Sequence, residues 1–431
     1  MRANKHRTNR ACTYGLVLVF LCLLVVPSDV QIVAARQSSK MVLAYARIEY
    51  PLVVFRALTY DDLTEEQRNN ASLLAEILDM YLTKEYTRQG LVAKQIHGYN
   101  ANAKVLLYRN MKVIKSSDSE WQTALDNGWL LRDSQGNLIS STLWNTHYLA
   151  DTVNQEYRDF VVGWLNNYFS LYEFDGVLAD NCLIVSVDQW CYDCTGKPVN
   201  PRTGNLYTDE EICDDTISFI NYVKSHIRSK LWISNGIFNG QAFFDRRNNF
   251  EKVLKEASLD GFISEGLFNE GGWDMGSARL YPEDKWKKSL DFVCWIQSNF
   301  LNQTGRLYVP SGRCAEGTIP LGYTPQQVAT YIFSSLLLGI TKSQNCLYLA
   351  APLLDETRNL FKTDLGVPAG VYYIINGTHV YARDFTKIKV LVNPTDASYS
   401  VNLDGDYETI EGRIVSSIDM TPHSGCILKL R

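Results

Sequence analysis

Eight short apolar runs, each followed by an amphipathic or polar stretch, pattern residues 41 to 365. This alternation constrains the fold more than any other feature of the chain. The runs predicted as strands are Val42–Ile48, Ile77–Thr83, Lys104–Arg109, Gly176–Asp180, Leu231–Ser234, Gly261–Ser264, Arg306–Val309 and Cys346–Ala350, with Pro51–Leu58 as a second option at the start. Helices between them carry their own signals. Across Asn154–Phe169, Tyr157, Val161, Leu165 and Tyr168 fall on one face at helical spacing. Thr208 with Glu211 forms a capping box, Pro282 opens a helix, and Thr324-Pro325-Gln326-Gln327 sets an N-cap, a first-turn Pro and a capping Gln. Strands and helices alternating at this spacing imply a parallel sheet with right-handed crossovers. Eight units in that length fit a (β/α)8 TIM barrel with enlarged loops, over 41–365. A doubly wound open sheet is the competitor, but no G-x-G-x-x-G or G-x-x-x-x-G-K-[ST] follows any strand.

Beyond Gly366-Val367-Pro368-Ala369-Gly370 the period drops to two: Ile388, Val390 and Val392, then Tyr399, Val401 and Leu403. With Asp404-Gly405 as a hairpin turn, residues 370–431 read as a small antiparallel β domain.

The first 35 residues read as an export signal: basic Lys5, Arg7 and Arg10, an unbroken apolar run from Gly15 to Val26, and small residues at Val33-Ala34-Ala35. A membrane span takes about 20 apolar residues, so an uncleaved anchor is the alternative reading. Cleavage removes Arg2, Lys5, Arg7, Arg10 and Asp29, leaving 38 basic against 46 acidic residues and a charge of -8. That balance argues against a nucleic-acid partner, and no later segment reads as a membrane span. The expected location is secreted, extracellular or lumenal. Sequons at Asn70, Asn302 and Asn376 agree with export. Eight cysteines remain after cleavage. Cys182, Cys191, Cys194 and Cys213 crowd one segment, expected as two disulfides in an oxidising compartment, with a zinc site as the other option.

Two stretches share one pattern: Phe174-Asp175-Gly176-Val177-Leu178-Ala179-Asp180 and Leu259-Asp260-Gly261-Phe262-Ile263-Ser264-Glu265. Each has Asp-Gly, a short strand, and a carboxylate five residues after the Asp. Alternation puts Gly176, Leu178 and Asp180 on one face, and Gly261, Ile263 and Glu265 on another. If those faces point inward, both acids project at the C-terminal mouth of strands four and six, where barrel enzymes hold their chemistry. Two carboxylates about 5–9 Å apart are the equipment of glycoside hydrolysis: one protonates the leaving oxygen, the other attacks the anomeric carbon or activates water. An acid after a strand also serves as a helix N-cap or loop ion pair. Asp175 and Asp260 read as structural. Tyr108 and Arg109 end strand three at the same mouth, and Asn235 ends strand five; all three are candidates to bind sugar hydroxyls, Arg109 alternatively forming a structural ion pair. Trp144 and Trp273, in loops after strands three and six, are candidate aromatic platforms for sugar rings, His147 and Asp274 lying beside them. The chain is rich in such residues, 25 Tyr and 9 Trp, although cores use them too. The six His make no H-x-H or H-E-x-x-H and no G-x-S-x-G occurs, which disfavours a metal-dependent or serine hydrolase; neither metal nor cofactor is expected.

At these residues the chain resembles glycosyl hydrolase-like family 15, within the α-galactosidase/α-amylase-like barrel group. The resemblance covers roughly 41–431. It rests on Val105-Leu106-Leu107-Tyr108-Arg109-Asn110, on the Asp180-Asn181 and Glu265-Gly266 motifs, and on Val390-Leu391-Val392-Asn393-Pro394 and Pro422-His423-Ser424-Gly425-Cys426-Ile427-Leu428 in the tail. The tail is similar to the β-sandwich that follows the barrel in many α-glycosidases. The two acid motifs are also similar to those of endo-polygalactosaminidase barrels. The resemblance implies an O-glycosidase acting on an oligo- or polysaccharide, with Asp180 as nucleophile and Glu265 as general acid/base, or the roles reversed, or an inverting mechanism. A non-catalytic, lectin-like carbohydrate-binding barrel is the alternative, and a disulfide-stabilised surface protein is a third.

Overall fold

Eight parallel strands close into a barrel: β1 (Val54–Thr59), β2 (Met80–Thr83), β3 (Lys104–Asn110), β4 (Gly176–Asp180), β5 (Leu231–Ile237), β6 (Gly261–Glu265), β7 (Leu307–Ser311) and β8 (Cys346–Leu349), with β1 paired to β8. The computed structural model describes residues 54–59 and, from 65 to 431, all except 78–79, 84–85, 143, 188–193, 228, 238–239, 271–278, 302–303, 305, 313–318, 342–345, 350–359 and 361–362. Pairing every edge in this way leaves no open strand. The first strand is the second of the two sequence options. Val54 pairs with Cys346 and Ala57 with Met80, while the candidate Val42–Ile48 lies outside the described residues. Ile77 ends helix α1 (Ala71–Ile77) rather than opening β2, because apolar residues at the junction of a helix and a strand suit either.

Helices α2 (Tyr86–Tyr99), α3 (Gln155–Leu171), α4 (Asp209–His226), α5 (Arg247–Glu256), α6 (Glu283–Ile296) and α7 (Pro325–Gly339) follow between strands. Their starts obey the local chemistry. Asn154 accepts the Tyr157 N–H, and Thr208 and Thr324 form complete capping boxes with Glu211 and Gln327. Among the described residues no helix is long and apolar enough to cross a membrane.

The repeated Asp-Gly start of β4 and β6 has a packing cause. A Cβ on Gly176 would stand 2.3 Å from the Leu231 carbonyl oxygen and 2.5 Å from its Cβ; on Gly261 it would stand 2.7 Å from the Cβ and the carbonyl oxygen of Leu307. Each glycine therefore makes room for a leucine on the next strand. The preceding acids tie strands together. Asp175 accepts the Val105 N–H at 2.9 Å and pairs with Lys104, and Asp260 accepts the Trp232 N–H at 2.8 Å and pairs with Lys224.

The chain ends in a six-stranded antiparallel sheet: β9 (Tyr373–Ile374), β10 (Tyr381–Asp384), β11 (Ile388–Asn393), β12 (Tyr399–Thr409), β13 (Ile414–Met420) and β14 (Ser424–Leu430), in the order β9-β10-β11-β14-β12-β13. The described residues of the barrel and of this sheet belong to one compact unit. One face (Tyr381, Ile388, Val390, Ile427) joins the barrel's core, while Val380, Leu391 and Leu428 cluster with Val401, Tyr407 and Met420 of the β12–β13 hairpin. Arg383 donates to the Leu337 and Leu338 carbonyls at 2.9 Å, satisfying the C-terminal end of α7. The sequence placed a hairpin turn at Asp404-Gly405. Those residues lie inside β12, where the register shifts between Asn402 and Tyr407; the reversal comes after Thr409, whose N–H donates to the Arg413 carbonyl, with Gly412 at φ +84°. Asp-Gly suits a bulge as well as a turn.

Gly176→Ala is expected to lower unfolding free energy by about 2 kcal/mol or more, because the methyl meets backbone rather than a movable side chain. Chemical denaturation measures it, and an unchanged midpoint would contradict the packing account.

Candidate active site

The register of the barrel brings four side chains to one place. Asn110 pairs with Asp180 across β3 and β4, Ala179 with Ser234 across β4 and β5, Asn235 with Ile263 across β5 and β6, and Glu265 with Ser311 of β7. Tyr108, Asp180, Asn235 and Glu265 all take the inward face at the C-terminal ends of their strands, and hydrogen bonds join them. Tyr108 Oη donates to Asp180 Oδ2 at 2.5 Å. The Asn235 side-chain amide donates to Asp180 Oδ1 and to Glu265 Oε1, each at 2.8 Å. Twice that distance, 5.6 Å, is the farthest these two accepting oxygens can stand apart.

Asp180 gathers donors on both oxygens. Besides Tyr108 and Asn235, the Asn181 backbone N–H reaches Oδ1 at 2.9 Å and the Asn181 Nδ2 reaches Oδ2 at 3.4 Å. Asn181 takes φ +56°, a left-handed conformation that Asn tolerates better than most residues, and so turns its N–H back onto the acid. Burial, and next the Glu265 carboxylate, push the Asp180 carboxyl above its ordinary range; the hydrogen bonds from Tyr108, Asn235 and the Asn181 N–H oppose them. A second carboxylate this close makes charge on Asp180 harder to hold, and the donors around it offset part of that cost.

A paired-acid mouth on a closed parallel barrel narrows the choice of family, and sequence comparison decides it: residues 97–389, about two thirds of the chain, match hypothetical glycosyl hydrolase family 15. The chain belongs to hypothetical glycosyl hydrolase family 15. Its class is that of a glycosidase. A search of curated proteins finds no match. Among solved structures, a family GH13_31 enzyme is similar in fold at TM-score 0.51 and 10% identity, over 88% of this chain and 99% of that one. The trehalose-6-phosphate hydrolase of Bacillus licheniformis is similar at TM-score 0.49 and 10% identity, over 88% and 99%. The alpha-amylase of Geobacillus thermoleovorans, complexed with acarbose, follows at TM-score 0.48 and 10% identity, over 89% and 99%. The first of these supports the (β/α)8 barrel with its C-terminal β domain.

The other candidates of this family 15 member are placed differently. Arg109 occupies the outward face of β3, opposite to Tyr108. It pairs with Glu120 at 2.8 Å and lies over the Trp164 ring at 4.4 Å, so it takes the structural option and does not reach the acids. Strand alternation makes that unavoidable once Tyr108 points inward. Trp144 stays 38% exposed and packs against His147, with ring centroids 5.7 Å apart. Trp273, Asp274 and Cys191 lie outside the described residues. Two disulfides among the four crowded cysteines are overturned. Cys194 is disulfide-bonded, but Cys182 and Cys213 are free buried thiols, packed into the apolar core at the end of β4 and the start of α4. Close sequence spacing did not reveal that the segment after β4 and helix α4 each bury one. No group of three or more His, Cys, Asp or Glu able to hold a metal exists among the described residues.

Two contributors escaped sequence reasoning. Asn181 acts chiefly through its backbone N–H, with its side-chain amide at longer range, and only its place after Asp180 could have pointed to it. Lys112 lies fully buried behind β4, donating to the Ile184 carbonyl at 3.0 Å and to Thr216 at 2.5 Å; burial lowers it to about 8. It braces the segment that follows Asp180.

Tyr108→Phe removes a hydrogen bond that holds the Asp180 carboxyl down, so its ionisation is expected at higher pH than in the wild type. A carbon-13 titration of the Asp180 carboxyl reads the shift; movement to lower pH or none would refute the assigned geometry.

Proposed function

We propose that this glycosidase is a retaining O-glycoside hydrolase with Asp180 as nucleophile and Glu265 as general acid/base. The observation that carries the reading is the single amide shared by both acids, which limits their accepting oxygens to 5.6 Å or less. Retaining enzymes hold their carboxyl groups about 5–5.5 Å apart, whereas inverting ones leave about 6.5–9.5 Å for a water. Burial and the second acid work against charge on Asp180, so its role as nucleophile depends on the N–H and O–H groups that meet both of its oxygens. Glu265, on the opposite side of the shared amide, is the partner assigned to deliver a proton to the leaving oxygen.

In the first step an Asp180 oxygen bonds to the anomeric carbon as the glycosidic C–O bond breaks, and the Glu265 proton passes to the departing oxygen. In the second, Glu265 takes a proton from water, the water oxygen bonds to the anomeric carbon, and Asp180 leaves as a carboxylate. Charge leaving Asp180 in the first step returns to it in the second, with the Tyr108, Asn235 and Asn181 donors already in place. The substrate class is an oligo- or polysaccharide, for which the half-exposed Trp144 ring offers a stacking surface.

The protein acts after export, on cleavage near residue 35. Two sequons fit a glycosylated protein: Asn70 and Asn376 are exposed, and Asn70 caps α1 through Oδ1, accepting the Leu73 N–H and leaving its Nδ2 for a glycan. Asn302 lies outside the described residues.

Asp180→Asn and Glu265→Gln are each expected to lower kcat at least about 1000-fold with folding intact. Proton NMR of the first product released from a polysaccharide or aryl glycoside is expected to show the anomeric configuration of the substrate. An inverted product, or a fully active variant of either acid, would falsify the mechanism.

A further inference from the structure

Asn235 is more than nine-tenths buried, and its side-chain Oδ1 has no hydrogen-bond partner among the described residues. A buried acceptor left unpaired carries a desolvation penalty that some other contact of the same side chain must justify. The cause is visible on the other side of the amide. Turning it over would set Oδ1 against the oxygens of Asp180 and Glu265 and remove the donor that each now shares. The two acids therefore dictate the orientation.

The position of Asn235 is fixed by backbone, independently of the acids. Its carbonyl accepts the Cys182 N–H at 2.8 Å and the Leu183 N–H at 3.0 Å, so the end of β5 is tied to the segment that follows Asp180. Next comes Gly236 at φ +148°, where a Cβ would stand 2.8 Å from the backbone of Leu183 and Ile184, and the register with β6 shifts between Asn235 and Ile237.

We infer that Asn235 is a positioning residue for the reaction proposed above, a strut whose one NH2 group spans the two carboxylates, limits how far apart they stand and supports them both through the reaction. An amide suits the task because it does not titrate in the working range and so donates to both acids in each protonation state. A His or Lys at this place would compete for the proton that Glu265 must deliver. A residue serving only to bind sugar would instead keep its N–H groups for substrate hydroxyls. The titratable groups facing Asp180 are Glu265 from β6, Tyr108 from β3 and the thiol of Cys182, which burial pushes to about 12; Lys112, lowered to about 8, lies next to that thiol. The thiol and the lysine thus titrate well away from the acid range in which the Asp180 carboxyl is followed.

The inference rests on the glycosidase reading for its chemistry, and the test separates the two. Asn235→Ala and Asn235→Gln are prepared in the full chain. In the Ala variant kcat is expected to fall about 100-fold while KM changes less than about threefold. Carbon-13 titration of the Asp180 carboxyl is expected to move to higher pH, as one of its donors is lost. The Gln variant keeps an amide displaced by one methylene and is expected to fall between, and it carries the same measurements if the Ala variant fails to fold. A raised KM at unchanged kcat, or an unmoved titration, overturns the strut. If the wild type hydrolyses no glycoside but the titration still moves in the variant, the hydrolase reading fails and the strut stands.

Discussion

Closure of the parallel ladder is the constraint on which the rest depends. Eight strands wrap only if inward side chains interlock from strand to strand, and here two glycines opening β4 and β6 admit Leu231 and Leu307 from the following strands. That interlock fixes the register, and the register brings Asp180, Asn235 and Glu265 within hydrogen-bond reach at the mouth. Asp175 and Asp260 reinforce it by accepting N–H groups at the starts of β3 and β5. The same short motif thus carries the scaffold at one end and the chemistry at the other.

The mouth is an electrostatic compromise. Burial and the proximity of the second acid disfavour charge on Asp180, while Tyr108, Asn235 and Asn181 restore it. Those donors are preorganised: Tyr108 by the alternation of β3, Asn181 by a left-handed turn, and Asn235 by backbone bonds to Cys182 and Leu183. The buried Lys112 braces the same segment from behind, through the Ile184 carbonyl and Thr216.

Much of this is legible along the chain. Period and caps give α3, α4 and α7, and the doubled Asp-Gly motif gives β4, β6 and their terminal acids, because these depend on neighbours a few residues away. Sequence reasoning went astray where a partner far along the chain decides. Cys182 and Cys213 remain thiols inside the core, and Asp404-Gly405 is absorbed into a bulge of β12; for Arg109, left open between two roles, the fold supplies the ion pair with Glu120.

By itself, then, the sequence determined the barrel's strand and helix rhythm, the antiparallel tail, and the two acids facing one mouth, since hydrophobic period and motif spacing are local quantities. Only the tertiary structure decided the distance between those acids and the amide that spans it. That distance follows from the stagger of β4, β5 and β6 and from the bulge at Gly236, which positions Asn235 from hydrogen bonds made by residues more than fifty positions earlier. Separation across a sheet is a property of register, and register exists only once the strands have paired.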